Sequence, residues 1–254
     1  MDNRRVFLRK MGLAGVALTG MPSLIAPFKS QCADKEKDTG NGAVFLFQGD
    51  SITDGNRGRN LDPNHIMGHG YAFSIASRLG ADFPSKKFVF YNRGISGNKV
   101  TDLAARWQHD TLDLKPSVLS ILIGVNDAGA RIKDGTPTIV EFDETYNLLL
   151  DQTRAQFPDI TFVLCQPFLL PVGNVKNKWE LFYPEIQKEQ AIVERLAKTY
   201  NAVYVQFQKV MDNACRSAEA DYWMWDGVHP TVAGHELLAR EWIRTVSKRL
   251  PFLG

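Results

Sequence analysis

From residue 43 onward, short apolar runs alternate with longer amphipathic segments, and that alternation admits few architectures. AVFLF (43–47), KFVFY (87–91), SVLSILIG (117–124), ITFVLC (160–165) and AVYVQ (202–206) have the length and composition of strands. Between them, segments near 70–82, 99–110, 140–156 and 184–200 carry a helical pattern. A last helix is expected from Thr231, a natural N-cap after Pro230, to about Lys248. Strands that are apolar on both faces and separated by helices call for a parallel sheet, covered on both sides and joined by right-handed crossovers. The expected fold class is α/β: a three-layer α/β/α sandwich with a mostly parallel five-stranded sheet. A chain of 254 residues, 44% hydrophobic and 23% charged, suffices for one such domain, and no internal repeat or second boundary is visible.

The beginning of the chain reads differently. NRRVFLRK puts Arg4 and Arg5 ahead of the moderately apolar, Gly-rich MGLAGVALTGMPSLIAPF, which resembles a bacterial twin-arginine export signal. The expected organisation is an export signal at 1–33, a polar linker at 34–42 and a folded domain at 43–254, with the mature protein periplasmic or extracellular. A basic N-terminal helix is the plain alternative. Two prolines and several glycines count against a retained anchor, so no stable membrane insertion of the mature protein is expected. Cys32 could take a lipid, but Lys29 stands where such signals carry Leu. Residues 1–33 hold five Lys/Arg and one Asp/Glu; the remainder has 25 basic and 27 acidic residues, a net charge of −2. The formal +2 of the whole chain belongs to the leader, and no nucleic-acid partner is expected.

In an open parallel sheet the functional loops lie beyond the C-terminal strand ends. The segments to read are QGDSITDGNRGRN, NRGISGNKV, GVNDAG, QPFLLPVGNVKNKW and DYWMWDGVHP. Ser51, in the first, can act as a nucleophile if a histidine takes its proton and a carboxylate orients the ring. DGVHP offers both, with Asp226 and His229 three residues apart. A developing oxyanion would find donors in the backbone N–H of Ser51, a backbone N–H of the GISG turn and the amide of Asn126. Singly, each block has an ordinary explanation, since Asp-Gly and His-Pro are common turn dipeptides. Together, each at a strand end, they favour acyl transfer.

GDSITDG, NRGISG, GVNDAG and DGVHPTVAGH, in that order across nearly all of 44–249, resemble the SGNH hydrolases, also called GDSL esterases. The resemblance implies a serine esterase in which Ser51 is the nucleophile, His229 the base and Asp226 its partner. Ser51, Gly97 and Asn126 would form the oxyanion hole, and Gly94 would shape the turn. Ile52 and Thr53 depart from the family's name without touching the reacting atoms. Asp50 and Asp127 are expected to brace their loops. His65, His69, His109 and His235 are read as surface or packing residues without an acidic partner at a diagnostic spacing, His65 and His69 bordering the site. No metal-ligand cluster or Gly-rich phosphate cradle is present in the sequence, so no cofactor is expected. Cys165 and Cys215 could pair or remain free thiols.

The substrate is less sharply marked. The insertion NRGRNLDPNHIMGHG (56–70) is polar and basic, and Arg57 or Arg59 could meet a uronic acid or another anion. Tyr222, Trp223 and Trp225, with Trp179 and Phe182, could stack on sugar rings or simply seal the sheet end. No long apolar lid accompanies the site. Similarity to the carbohydrate-deacetylating members of the family favours an acetylesterase acting on a small-molecule or oligosaccharide ester. An arylesterase, or a lysophospholipase or thioesterase-type lipolytic enzyme, is the alternative within esterases, and an exported glycan-binding module the alternative outside enzymes. The oligomeric state is not legible.

Overall fold

The computed structural model describes residues 40, 42–60 and 62–253. The expected export signal and most of the linker lie outside the described residues.

Five strands form one sheet: β1 (Val44–Gly49), β2 (Val89–Asn92), β3 (Val118–Leu122), β4 (Thr161–Cys165) and β5 (Val203–Val205). Their order is β2-β1-β3-β4-β5 and every neighbouring pair is parallel. Each strand overlaps one of the five apolar runs. The helices are α1 (Ser51–Asp54), α2 (Tyr71–Asp82), α3 (Val100–Asp110), α4 (Val125–Asp134), α5 (Ile139–Gln156), α6 (Trp179–Thr199), α7 (Phe207–Ala214), α8 (Ala220–Trp223) and α9 (Val232–Val246). The five expected helices are α2, α3, α5, α6 and α9. Helix α6 opens about one turn ahead of 184, so that Pro184 lies inside it and supplies no N–H there.

The strand alternation divides the core. Phe45 and Phe47 of β1 face a cluster built with α2, α7 and α9, while Leu46 faces one built with α3, α5 and part of α6. Tyr71, Ile75 and Leu79 form the buried stripe of α2; Leu238, Trp242 and Val246 that of α9. Trp242 anchors α9 to the sheet: its ring packs 5.6 Å from Phe47 and its indole N–H donates to Ser120 Oγ at 3.0 Å. Cys165 is fully buried in this core, burial pushing its thiol up to about 12, and both Cys165 and Cys215 are free thiols.

The strand order reverses around β1. The chain leaves β1 to build β2 on one side and returns to place β3 on the other, so the C-terminal ends of β1 and β3 flank the switch point where ligands bind in such sheets.

Candidate active site

Gly49 ends β1 against β3, where a Cβ would overlap the Leu122 carbonyl and the Thr53 side chain. The close approach aims the next residues out of the sheet end. Asp50 caps α1, its Oδ1 accepting the Ile52 N–H at 3.0 Å. Burial pushes the Asp50 carboxyl up to about 7, against the pull of that N–H. Ser51 is then the first residue of α1, and its Oγ lies 2.8 Å from His229 Nε2.

His229 and Asp226 stand on the irregular segment between α8 and α9. Met224 and Pro230 pair as an antiparallel bridge across it, and Trp225 N–H donates to the His229 carbonyl at 3.2 Å. From the loop after β4, Leu170 N–H donates to Gly227 at 3.1 Å and Val175 N–H to Asp226 at 3.3 Å. Asp226 Oδ1 accepts the N–H groups of Val228 at 2.9 Å and His229 at 2.7 Å, and Oδ2 lies 2.7 Å from His229 Nδ1. Burial works against ionisation here, but the N–H and ring of His229 with the Val228 N–H hold the carboxyl below its ordinary range. An ionised carboxylate can only accept, so the ring proton sits on Nδ1 and Nε2 is left to accept from Ser51.

The third part of the site comes from the loop after β2 and the start of α4. Asn98 N–H closes a turn onto the Ile95 carbonyl at 3.1 Å, with Gly97 at φ +84° in its third position, as a type II turn requires. The space a Cβ on Gly97 would occupy is open. Asn126 donates one amide hydrogen to the Asn98 carbonyl at 3.1 Å, leaving the other available. Among the described residues the backbone N–H groups of Ser51 and Gly97 donate to no protein acceptor. Asp127 Oδ1 takes the Val100 N–H at 2.9 Å, tying α4 to the residues after that turn; burial pushes its carboxyl up to about 7.

Two residues with no assigned role in the sequence hold this side together. Asn92 donates to the Thr53 and Met67 carbonyls at 2.7 and 3.0 Å and accepts Gly94 N–H at 2.9 Å. Asp54 accepts Ser96 N–H at 2.9 Å, Ser96 O–H at 3.1 Å and Arg59 through both oxygens, at 3.0 and 2.7 Å. Arg59 is thus engaged by the scaffold, as is Arg57, whose Nε donates to Gly94 at 2.9 Å. Trp179 stacks on Tyr183 (centroids 4.2 Å apart) and Trp223 meets Tyr222 edge-on, both tryptophans half-buried against the core. Trp225, by contrast, is 65% exposed and lies face to face with His229 at 6.1 Å.

One reading of the histidines is corrected. His65 does have an acidic partner at Asp-x-x-His spacing: its Nδ1 lies 2.7 Å from Asp62 Oδ2, at the exposed surface. His235 accepts the Tyr71 N–H at 3.1 Å, and burial lowers its ring to about 4. Among the described residues no group of three His, Cys, Asp or Glu could hold a metal ion, and no helix is long and apolar enough to cross a membrane.

The model of the GDSL-like lipase/acylhydrolase family matches residues 47–237, a span that contains every one of these site residues. The chain belongs to that family. It is 32% identical to an acetylxylan esterase of Geobacillus stearothermophilus over 82% of this chain and 95% of that protein. The crystal structure of that esterase superposes with a TM-score of 0.71 at 31% identity, covering 83% of this chain and 96% of the other. A Parabacteroides merdae structure described as a GDSL-like lipase superposes with a TM-score of 0.77 at 38% identity, covering 82% and 96%. Membership in the family and these likenesses make the chain a carboxylic ester hydrolase.

Proposed function

We propose that this chain removes acetyl groups from carbohydrate hydroxyls through an acyl-enzyme on Ser51. The observation that carries the reading is the unbroken line from Ser51 Oγ through His229 to Asp226, at 2.8 and 2.7 Å, beside unused donors. His229 Nε2 takes the serine proton as Oγ attacks the ester carbon, and the N–H groups of Ser51 and Gly97 with the amide of Asn126 receive the oxyanion. When the bond to the sugar oxygen breaks, Nε2 returns the proton to that oxygen and the acetyl group stays on Oγ. A water then gives a proton to Nε2 and its oxygen to the acyl carbon, and departing acetate leaves Ser51 protonated. Asp226 offsets the charge of the imidazolium at each stage.

Likeness to an acetylxylan esterase supports the acetyl and carbohydrate parts of the reading, and so does the exposed face of Trp225 beside His229, on which a sugar ring can lie. The Geobacillus esterase is also known as catalytic mutants, one with a serine and one with a histidine replaced by alanine, which agrees with these roles. Arg4 and Arg5 ahead of an apolar stretch support action outside the cytoplasm.

Acetate release from acetylated oligosaccharides, measured beside acetyl, butyryl and octanoyl esters of p-nitrophenol, tests the reading. Turnover on the sugars is expected, with a steep fall as the acyl chain lengthens, each methylene that clashes or stays wet costing about 1–3 kcal/mol. Activity that rises toward octanoyl, or is absent on sugars, overturns it. Replacing Arg4 and Arg5 with Lys should trap the protein in the cytoplasm; unchanged location overturns the export part.

A further inference from the structure

At the β2 edge of the sheet, the loop after α1 and the end of β2 line an open cavity of about 130 Å³. Arg57, Arg59, Tyr91 and Arg93 line it, with Ile66 and Phe90 adding apolar surface. Its charges do not balance. Arg59 is held by Asp54 at 2.7 Å, and Arg106 of α3, whose guanidinium also donates to the Arg93 carbonyl, is held by Asp110 at 2.9 Å. Arg57 and Arg93 form no ion pair among the described residues. Arg57 uses its Nε on the Gly94 carbonyl; burial and the neighbouring Arg59 bring it down to about 10, so it remains a cation at neutral pH. Arg93 lies 5.7 Å from the Tyr91 ring centroid, and its Nε is buried without a hydrogen-bond partner among the described residues.

The Nη groups of Arg57 and Arg93 make no hydrogen bond among the described residues and, in one cavity beside an aromatic ring, match a carboxylate carried on a sugar; the Arg93 Nε is sealed and the Arg57 Nε already engaged, so the Nη groups are the donors on offer. The carboxylate would take the open Nη groups, and the sugar ring would lie against the cavity's apolar surface. Arg93 is four residues from Gly97, so their backbones are at most about 14 Å apart. A short oligosaccharide spans that reach. We propose that this cavity is a subsite for a uronic acid residue of the substrate, selecting acetyl groups that lie near an acidic branch. The proposal rests on the carbohydrate reading above.

Binding without turnover tests it first. The Ser51→Ala protein is titrated with D-glucuronate, and in parallel with glucose and inorganic phosphate, by NMR or calorimetry. Saturable binding of glucuronate over glucose is expected, weakened about tenfold or more by Arg93→Met and less by Arg93→Lys, which keeps the charge and loses the fork. In otherwise wild-type protein, Arg93→Met should lower the ratio of kcat/KM for a glucuronate-branched over an unbranched acetylated oligosaccharide by a similar factor. Glucuronate binding no tighter than glucose, binding of phosphate alone, or glucuronate binding indifferent to Arg93→Met would overturn the subsite. Failure of the subsite alongside good turnover of neutral acetylated oligosaccharides leaves the proposed function standing. Poor turnover of every acetylated sugar rejects that function itself.

Discussion

Ser51, Gly97 and Asn126 follow three neighbouring strands and are braced by buried carboxylates, whereas Asp226 and His229 stand on an irregular loop braced by backbone pairing and close glycine contacts. On the serine side, Asp50 caps α1, Asp54 gathers Ser96 and Arg59, and Asp127 holds Val100. On the histidine side, Met224 pairs with Pro230, and Gly173 packs against the backbone of Asp226. The serine side therefore relies on buried carboxyls that bond across segments, and the histidine side adds close backbone packing to the bonds that Asp226 makes within its own loop. The 2.8 Å contact between Ser51 Oγ and His229 Nε2 joins the two sides.

That junction predicts the largest effect. Ser51→Ala and His229→Ala should each lower kcat/KM on p-nitrophenyl acetate by several powers of ten, and the double variant by no more than the worse single one. Losses that multiply would mean that the two sides act independently. Asn126→Ala comes next: on the proposed mechanism its free amide hydrogen acts on charge that develops during reaction, so kcat should fall roughly 10²- to 10³-fold with KM nearly unchanged. A rise in KM alone would make Asn126 a ground-state contact.

Glycine substitutions should separate the two sides by stability. Gly173 has φ +51° and a Cβ there would overlap the Asp226 backbone, so Gly173→Ala combines left-handed strain with a clash and should cost about 2–4 kcal/mol. Gly97 has φ +84° in open space, and Gly97→Ala should cost only the strain, about 1–2 kcal/mol. Chemical unfolding of both variants measures the difference; equal losses would remove the contrast between a loop held by shape and a turn facing solvent.

The sheet could be read from the sequence because its strands are apolar on both faces, and the site because its residues fall in four recognisable blocks, three at the ends of β1, β2 and β3 and the fourth, against expectation, between α8 and α9 and not at a strand end. Helices α1 and α4 could not. GDSITDG and GVNDAG are short and rich in turn-forming residues; a local cap from Asp50 starts the first helix, and the Asp127 bond to Val100, 27 residues away, fixes the second. Arg57 and Arg59 show their charge in the sequence but not their partners, since nothing distinguishes Asp54 from any other acidic residue until Arg59 and Ser96 converge on it. The stacking of Trp179 on Tyr183 lies at i,i+4 spacing, which pairs the two rings only because α6 begins at Trp179.

The smallest expected effect concerns pH. Asp127 is raised by burial from its ordinary 3.8 to about 7, whereas Asp226, across the site, is lowered by its N–H partners despite burial. A carboxyl raised in the folded state binds its proton more tightly there than in the unfolded chain. Its stabilising contribution is complete below about pH 4 and is lost as the pH rises through about 7. Asp226 has the opposite sign, stabilising above its ordinary range and losing that contribution in acid. Asp127→Asn keeps an oxygen for the Val100 N–H and removes the titration. Asp127 Oδ2 has no partner among the described residues, so the new amide nitrogen gains none and overall stability should drop slightly. The diagnostic readout is therefore the slope: urea midpoints of the wild type should fall between about pH 5 and pH 7, within the interval bounded by the two values, and those of Asp127→Asn should fall less. An unchanged slope would show that Asp127 is already ionised across this interval, and that the serine side carries a buried charge instead of a buried proton.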